Sequence, residues 1–450
     1  MFPAMHNHNH NTNKTRSGSA PTVRLWLMMV LEFAIWGAWL PLVWGYMGKD
    51  GLAFTEAQIA WVGSTFAIAS IVGIFFSSQF ADRTFAAEKF MAVSHLVGGL
   101  AILALYWAEE IAAATGLGVF AVFFGLMLVH ALLYVPTISV SNSIAFTHMK
   151  NAQKEFGIVR MGGTIGWILA AWPLYFVLQG KEGAAAVAAS RNIFLVSGIT
   201  SLVLAAYSLL LPHTPPKRAP AATGAAGIAW LKAAGYLSHP YLLVLFLVTF
   251  VDAVIHNGYF VLAGGFLGSK TVGIKPEWIM PVMSIGQVAE ILTMAILGTV
   301  LARLGWKTTM ILGILGHAAR FAVFAFLPQN QTVIILVQVL HGICYAFFFA
   351  TLYIFIDAAF PKDVRSSAQS LFNLLVLGLG DLAAKWLFIP LQASLTAADG
   401  AVDYRRLFLV PAVMALAAAA ILLVAFWPPR WLATGAQVED DPETEPQLVT

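Results

Sequence analysis

The sequence predicts an all-α membrane protein with twelve transmembrane helices arranged in two six-helix halves. Hydrophobic residues make up 59% of the chain and charged residues only 10%, whereas soluble domains carry about 25% charged residues. Twelve apolar segments have close to the roughly 20 residues that a helix needs to cross the hydrocarbon core. A connection rich in Pro, Ala and Gly separates the sixth segment from the seventh and is typical of a linker.

The predicted spans are approximately 24–47, 57–80, 90–108, 116–140, 160–179, 192–212, 240–266, 279–302, 308–327, 332–356, 368–392 and 406–427. They divide the chain into a disordered N-terminal tail (1–23), a first helical bundle (24–212), a cytoplasmic linker (213–239), a second bundle (240–427) and an acidic C-terminal tail (428–450). The tail histidines His6, His8 and His10 could bind a metal, but their low-complexity surroundings favour disorder. No metal site and no cofactor are predicted.

The distribution of basic residues predicts the orientation. Of the 25 Lys and Arg residues, sixteen fall on the side of the two termini, seven fall in loops on the opposite side and two lie within spans. Positively charged loops remain in the cytoplasm, so both termini are expected there. The net charge of +3 is too small and too dispersed to indicate a nucleic-acid partner.

Two short basic loops lie six spans apart, FADRTFAAEK after span two and ARLGWKTTM after span eight. Such an offset fits two halves related by an axis along the membrane normal, as in major facilitator transporters. Asp82 and Arg83 resemble the degenerate loop motif of that superfamily, although both loops could also be ordinary positive anchors.

Glu290 indicates a polar function inside the membrane. It lies in an apolar run from Met280 to Ala302 that contains no other charge, where a carboxylate costs about 2.5–3.5 kcal/mol on insertion scales. Such a residue normally faces a partner, a water-filled cavity or a substrate. Gln287 precedes it by three residues, so both side chains share one helix face.

Other spans carry polar pairs at helical spacing, which places both members on one face. These pairs are Arg160 and Thr164 in span five, His256 and Tyr259 in span seven, His341 and Tyr345 in span ten, and Asp381 and Lys385 in span eleven. Arg160 is either a cytoplasmic anchor or a site residue, and the Asp381–Lys385 pair is either structural or a functional switch. Span seven also contains glycines that are expected to let it bend or break, as transporter helices do near their sites.

The remaining intramembrane candidates lie in spans one, seven and nine. Asp252 in span seven and Glu32 in span one are candidate proton carriers. Trp36 and Trp39 are either members of an interfacial aromatic belt or stacking platforms for a flat ligand. Arg320 in span nine is expected to pair or to extend towards the membrane surface.

Several segments resemble the nucleoside:proton symporter family of the major facilitator superfamily. They are FAIWGAWL in span one, YVPT at 134–137, RMGGTIG at 160–166, MSIGQVAE at 283–290, ARFAVFAF at 319–326 and RSSAQSLF at 365–372. They occur in the family's order, and the resemblance extends from about residue 24 to residue 427. It implies a major facilitator fold, a bacterial cytoplasmic membrane location, nucleosides and protons as partners, and a monomer surrounded by lipid.

The resemblance also implies a central substrate site. Its most specific elements match Arg160 and Thr164 in span five and Gln287 and Glu290 in span eight. The other matching positions are His256, Tyr259, His341 and Tyr345, where this chain departs in residue type from the family pattern. These departures leave hydrogen bonding and stacking in place and put the base specificity in doubt.

Position 346 is the departure that matters most for coupling. Family members carry an aspartate there that is a candidate for proton coupling, whereas this chain has Ala346. The role would pass to Glu290, Asp381, Asp252 or Glu32, or the protein would be a uniporter. Glu290 is the first choice, because apolar surroundings disfavour the charged form of a carboxylate.

The sequence therefore predicts a secondary transporter that moves nucleosides by alternating access, with proton coupling. An importer or uniporter of sugars or other polyhydroxylated solutes is the alternative, and export of amphipathic compounds is a weaker one. A membrane sensor is disfavoured because no sizeable cytoplasmic output domain is evident. With no nucleophile–base pair and no metal-ligand spacing, no catalytic residue is predicted.

Overall fold

In a computed structural model of the chain, residues 20–149, 152–216, 233–361, 364–429 and 432 are described. The predicted disordered tail up to residue 19, the middle of the linker and the acidic tail after residue 432 lie outside these ranges. The side chains of Asp82 and Arg83 also lie outside the described part.

Every predicted span falls on a helix. The helices are α1 (Ala20–Met47), α2 (Glu56–Thr84), α3 (Ala87–Thr115), α4 (Val119–His148), α5 (Ala152–Leu169 continued by Ala171–Leu178), α6 (Gly183–Ser208), α7 (Pro240–Leu267), α8 and α9 (together Pro276–Phe326), α10 (Gln331–Ala359), α11 (Arg365–Asn373, Leu374–Leu379 and Gly380–Ser394 in succession) and α12 (Tyr404–Ala425).

Ten helical stretches in the described ranges are long and apolar enough to cross a membrane. One of them, the 51-residue stretch Pro276–Phe326, holds two spans, because Gly305 interrupts it with a φ of 71°. This left-handed conformation is one that glycine adopts without steric cost. Residues before Gly305 form α8 and those after it form α9. The 29-residue α2 is also long enough to cross, which agrees with an architecture of ten to twelve spans.

One boundary differs from the prediction. The helix α1 begins at Ala20, so the last residues of the predicted tail belong to the first helix. The glycines of span seven do not break it, because α7 is one continuous helix. A Cβ atom on Gly258 would lie 2.3 Å from the Phe388 ring, and one on Gly264 would lie 2.3 Å from the Pro41 carbonyl oxygen. These glycines therefore allow α11 and α1 to approach α7 closely.

Helices α10 and α11 each contain a π-helical turn. The turn in α10 covers Tyr345–Ala350 and the turn in α11 covers Leu374–Leu379. Such turns are rare and frequently lie at functional sites. Both change the direction of the side chains that follow, and both border the central cavity described below.

The closest helix packing falls within the two predicted halves. In the first half α1 packs on α5, α3 on α6 and α2 on α4, and in the second half α7 packs on α11 and the α8–α9 pair on α10 and α12. Between the halves, α2 contacts α11 and α5 contacts α8. At an offset of six helices, α2 corresponds to α8 and α5 corresponds to α11, so the two contacts are equivalent. Two similar halves related by one axis are expected to show this relation.

Aromatic contacts join the halves at the end where α1 finishes and α2 begins. The rings of Trp61 and Trp386 lie 5.5 Å apart, and those of Tyr175 and Trp278 lie 5.1 Å apart. Trp386 also donates a hydrogen bond from Nε1 to the Ser64 hydroxyl at 3.2 Å. These contacts hold the two halves together at this end of the bundle.

A glycine-to-alanine pair tests the tight crossing of α1 and α5. A Cβ atom on Gly166 would lie 1.9 Å from the Val30 carbonyl oxygen, whereas one on Gly125 in α4 would meet open space. Overpacking typically costs about 1–3 kcal/mol, whereas alanine for glycine in an open helix position gains about 1 kcal/mol. We expect Gly166→Ala to lower the thermal unfolding midpoint of the detergent-solubilised protein and Gly125→Ala to leave it unchanged or raised. Equal midpoints for the two variants would contradict this packing.

Candidate functional site: a central cavity between the halves

A cavity of about 220 Å³ lies between the two halves. The first half contributes side chains from α1, α2, α4 and α5, and the second half contributes side chains from α7, α8, α10 and α11. Ten of the predicted site residues line it, namely Trp36, Trp39, Arg160, Thr164, His256, Gln287, Glu290, His341, Tyr345 and Asp381. The structure therefore brings together groups that are up to 345 positions apart in the chain, from Trp36 to Asp381.

The polar wall formed by α5 and α8 carries Arg160 and Thr164 opposite Gln287 and Glu290. The Arg160 guanidinium lies 4.1 Å from the centre of the Phe33 ring. Among the ion pairs of the described residues, none joins Arg160 to Glu290. Arg160 thus lines the cavity, which favours the site interpretation over that of a surface anchor.

Gly342 sets the position of Glu290. A Cβ atom on Gly342 would lie 2.2 Å from the backbone nitrogen of Glu290, so α10 touches the α8 backbone at the turn that carries this carboxylate. Gln287, one turn earlier on α8, is buried, and its Oε1 atom has no hydrogen-bond partner among the described residues. A buried amide oxygen without a partner is costly, and a bound ligand that donates a hydrogen bond would relieve that cost.

Aromatic rings from both halves form a second wall. Trp36 stacks on Phe66 at 5.6 Å and meets Trp167 edge-on at 5.7 Å, and Trp167 in turn meets Phe260 of the second half at 5.8 Å. Trp39 packs on the same Phe66 ring at 5.1 Å. Trp36 and Trp39 therefore lie at the cavity, where their rings are available to a flat ligand, and not in an interfacial belt.

Histidines of α7 and α10 form a third part of the lining. The rings of His256 and His341 stack at 5.1 Å with an interplanar angle of 22°, and the Tyr345 ring lies 6.0 Å from that of His256. The His256 Nδ1 atom is buried and has no hydrogen-bond partner among the described residues. These groups add hydrogen-bonding capacity beside the aromatic wall.

Asp381 and Lys385 form an internal ion pair on α11, as their spacing predicts. Both line the cavity, and the Lys385 ammonium also lies 5.9 Å from the Trp44 ring centre. One carboxylate oxygen of Asp381, Oδ2, has no hydrogen-bond partner in the described part of the chain. The pair therefore combines a structural contact with one carboxylate oxygen that is left without a donor.

Three predicted site residues lie outside the cavity lining. Tyr259 is turned away, because its hydroxyl donates to Gln338 Oε1 at 2.8 Å and its ring lies 4.0 Å from the Arg320 guanidinium. Asp252 is completely buried behind the lining, near His317.

Glu32, the third, lies in the core of the first half. Its Oε2 atom is 2.9 Å from His95 Nε2, and its Oε1 atom accepts a hydrogen bond of 2.7 Å from Thr137. The Glu32 carboxylate is thus satisfied within the first half and does not line the cavity.

Sequence reasoning overlooked several lining residues. Asn257 lines the cavity and donates from its amide to the backbone carbonyls of Ala253 and Val376 at 2.9 and 3.1 Å. Its place next to His256 in the polar part of span seven was the available signal. Trp167 and Phe260 gave no such signal, because an aromatic residue in an apolar span looks the same whether it faces lipid or a ligand.

Comparison with known proteins identifies the family. A family model described as Nucleoside H+ symporter matches residues 20–430. The chain belongs to this family. It is a transporter of nucleosides and not an enzyme.

Curated relatives agree over most of their length. The chain is 32% identical to the putative nucleoside transporter YegT of Escherichia coli (strain K12) over 368 residues, which covers 80% of this chain and 82% of the relative. It is 27% identical to the xanthosine permease of the same organism over 418 residues, or 90% of this chain and 95% of the relative.

Solved structures share the major facilitator fold. A crystal structure of the nucleoside transporter NupG matches with a TM-score of 0.75 and 22% identity, and the match covers 91% of this chain and 100% of the other. The D-xylose-proton symporter matches with a TM-score of 0.71 and 12% identity, over 90% of this chain and 97% of the other. At these identities the likeness concerns the fold alone.

Alanine at position 342 tests the placement of Glu290. We expect Gly342→Ala to displace the Glu290 turn and to raise the KM for nucleoside uptake about tenfold, since losing about 1.5 kcal/mol corresponds to one weakened hydrogen bond to a charged group. Gly298→Ala on the same α8 helix is the control, because its Cβ atom meets open space. The measurement is uptake of labelled nucleoside by membrane vesicles at equal protein abundance. An unchanged KM in Gly342→Ala would show that the position of Glu290 does not affect substrate binding.

Proposed function

We propose that the chain is a nucleoside:proton symporter of the bacterial cytoplasmic membrane that binds one nucleoside in the central cavity and works by alternating access. The observation that carries the proposal is the convergence of polar and aromatic side chains from both halves on one cavity. A ligand held by both halves couples its own binding to their relative motion. Both termini are proposed to lie in the cytoplasm, and the transporter is proposed to act as a monomer.

The ribose is proposed to bind at the α5–α8 wall. Its hydroxyl groups both donate and accept hydrogen bonds, and Glu290 and the Gln287 Oε1 atom are acceptors there. Thr164 supplies a hydroxyl that can do either. Hydrogen bonds to charged groups contribute about 1.5–3 kcal/mol, so Glu290 is expected to be a main source of affinity.

The base is proposed to lie against the aromatic wall. A nucleobase is flat and partly apolar, and rings such as Trp36, Trp167 and Tyr345 can stack on it or meet it edge-on. His256, His341 and Arg160 offer polar groups at the edge of this wall, where the base carries its carbonyl oxygens and ring nitrogens. Tyr259 supports the wall from behind, since its ring packs against His341 at 4.9 Å.

The charges of the cavity favour a neutral nucleoside over a nucleotide. Arg160 and Lys385 are balanced by Glu290 and Asp381, and all four line the same space. A phosphate group would bring two negative charges next to two carboxylates without a surplus of positive charge, which is unfavourable in a low-dielectric site. Export or import of nucleotides is therefore not proposed.

Proton coupling is supported by the family description and by ionisable groups buried within the spans. The candidate carriers are Glu290 and Asp381 at the cavity, and Asp252 and Glu32 away from it. Ionisable residues in membrane spans commonly take part in proton relays.

Proteoliposome uptake tests the function directly. Labelled uridine and adenosine would be supplied with and without an inward proton gradient. Accumulation above equilibrium that depends on the gradient is the expected result, and uptake that only equilibrates would refute proton coupling while leaving nucleoside transport intact. Competition by unlabelled sugars but not by nucleosides would contradict the substrate assignment.

Replacing the cavity carboxylate tests the ribose site. We expect Glu290→Gln to weaken nucleoside binding about 10- to 100-fold, because an amide replaces a charged acceptor. Glu277→Gln is a matched control, since Glu277 is a buried glutamate of the same helix that does not line the cavity. Isothermal titration of the purified variants with nucleoside gives both affinities, and equal losses in the two variants would show a general effect on α8.

A further inference from the structure

A buried charged cluster lies directly behind the histidine part of the cavity. It consists of Asp252 on α7, His317 and Arg320 on α9, and His341 on α10, and we refer to it as the Asp252–Arg320 cluster. His341 also lines the cavity, whereas Asp252, His317 and Arg320 do not. All four side chains are at most 2% exposed, so the cluster is reached only through its cavity side.

Asp252 is the member with the poorest surroundings for a negative charge. The carboxylate is completely buried, and neither oxygen has a hydrogen-bond partner among the described residues. The His317 Nε2 atom lies 3.7 Å from Oδ2, which is longer than a hydrogen bond. A buried carboxylate without a donor is expensive when charged, and binding a proton removes that cost.

Arg320 fixes the protonation of both neighbouring rings. Its Nη1 atom lies 2.7 Å from His341 Nδ1, and its Nη2 atom lies 3.2 Å from His317 Nδ1. A guanidinium group is always a donor, so both Nδ1 atoms accept and both neutral rings carry their proton on Nε2. The His317 Nε2–H group therefore faces Asp252, and the His341 Nε2–H group is left for other partners.

His256 provides a route between the cavity and the cluster. It lines the cavity one helical turn after Asp252, and its ring lies 5.6 Å from that of His317 and 5.1 Å from that of His341. A proton that enters from the cavity can pass to His256 and then to Asp252, which lies four residues earlier on the same helix face. This route avoids His317, whose Nδ1 atom accepts from Arg320, and does not require Arg320 to lose a proton.

We propose that Asp252 binds the coupled proton, in place of a carboxylate at the position of Ala346, and that His256 connects it to the cavity. The inference rests on the proposed symport function and names its proton site. One proton adds to one Asp252 carboxylate oxygen to give the neutral acid. The same proton leaves to the cytoplasmic side after the conformational change, so no other bond changes.

Protonation of Asp252 changes the charge that the substrate meets. With Asp252 ionised, the cluster has no net charge, because the carboxylate balances Arg320. With Asp252 protonated, the charge of Arg320 is unbalanced and polarises His341, which then donates more strongly from Nε2 to an acceptor on the nucleoside. A proton thus raises nucleoside affinity, and by linkage the nucleoside raises proton affinity equally.

The ionisable groups on α7 and on the helices packed against it support this choice. Besides His317 and Arg320 on α9, these helices carry His256 and Tyr259 on α7 itself, Glu290 on α8, His341, Cys344 and Tyr345 on α10, Asp381 and Lys385 on α11, Glu32 on α1, and Tyr404, Arg405 and Arg406 at the start of α12. Asp381 has Lys385 as its partner, and Glu32 has His95 and Thr137. Glu290 faces the cavity beside the substrate groups. Asp252 is the candidate carboxylate that is both fully buried and without a hydrogen-bond donor in the described part.

The test compares Asp252→Asn with Glu277→Gln in proteoliposomes. The asparagine variant mimics the protonated acid, so we expect nucleoside counterflow within about threefold of wild type but no accumulation driven by a proton gradient. Its nucleoside affinity should also lose the dependence on pH that wild type shows. Glu277→Gln removes a buried carboxylate of the same half that does not line the cavity, and it should keep gradient-driven accumulation.

The opposite results overturn the inference. Accumulation by Asp252→Asn, or loss of accumulation confined to Glu32→Gln or Glu290→Gln, would place the proton elsewhere. If Asp252→Asn does not fold, Asp252→Ser decides, because it removes the same carboxylate. It should retain counterflow and lose accumulation, and normal accumulation would again overturn the proposal. Counterflow by wild type without any gradient-driven accumulation would refute proton coupling itself, which distinguishes the two failures.

Discussion

Charged side chains inside the hydrocarbon region need a partner or water, and this requirement governs how the polar interior of the protein is built. Arg320 is completely buried and is held by two imidazole rings and a tyrosine face. Lys385 is held by Asp381 one turn away. Arg160 instead opens onto the cavity. The cavity is therefore the place where the remaining polar groups, which have no complete set of protein partners, are collected and offered to a ligand.

Close helix crossings make this arrangement possible. The polar groups of α8 and α10 can face one cavity because Gly342 lets α10 touch the backbone at Glu290, and those of α5 can do so because Gly166 touches the Val30 carbonyl of α1. Without a hydrophobic drive between helices in lipid, such small-residue contacts and hydrogen bonds hold the bundle together. The glycines thus determine how closely the helices approach, and so how far apart the site residues lie across the cavity.

Helical periodicity made much of the site predictable. It placed Gln287 with Glu290 and His341 with Tyr345 on common faces, and the Asp381–Lys385 pair followed from spacing alone. The Asp252–Arg320 cluster could be predicted only in part. His317 and Arg320 are three residues apart on α9, but Asp252 and His341 lie on α7 and α10, and no spacing within one helix relates them to Arg320. Tyr259 shares a face with His256 by spacing, but the distant Gln338 determines where its hydroxyl points. The glycines of α7 do not break the helix, because they serve contacts with Phe388 and Pro41 on other helices.

Each buried ionic contact lies within one half of the protein, and this bears on how the transporter moves. Glu32, His95 and Thr137 all belong to the first half, and the Asp252–Arg320 cluster and the Asp381–Lys385 pair belong wholly to the second. A rigid-body rotation of one half against the other therefore leaves these buried ionic contacts intact. In the described part of the chain, the halves are held together at one end by neutral contacts such as Trp61 with Trp386 and the Trp386–Ser64 hydrogen bond. Groups of this kind can be hydrated when they separate, at much lower cost than a buried charge. The nucleoside would touch both halves, so it gains its full set of contacts only when the halves are closed around it. Substrate binding therefore favours closure, and the buried ionic contacts do not oppose this motion because each lies within one half.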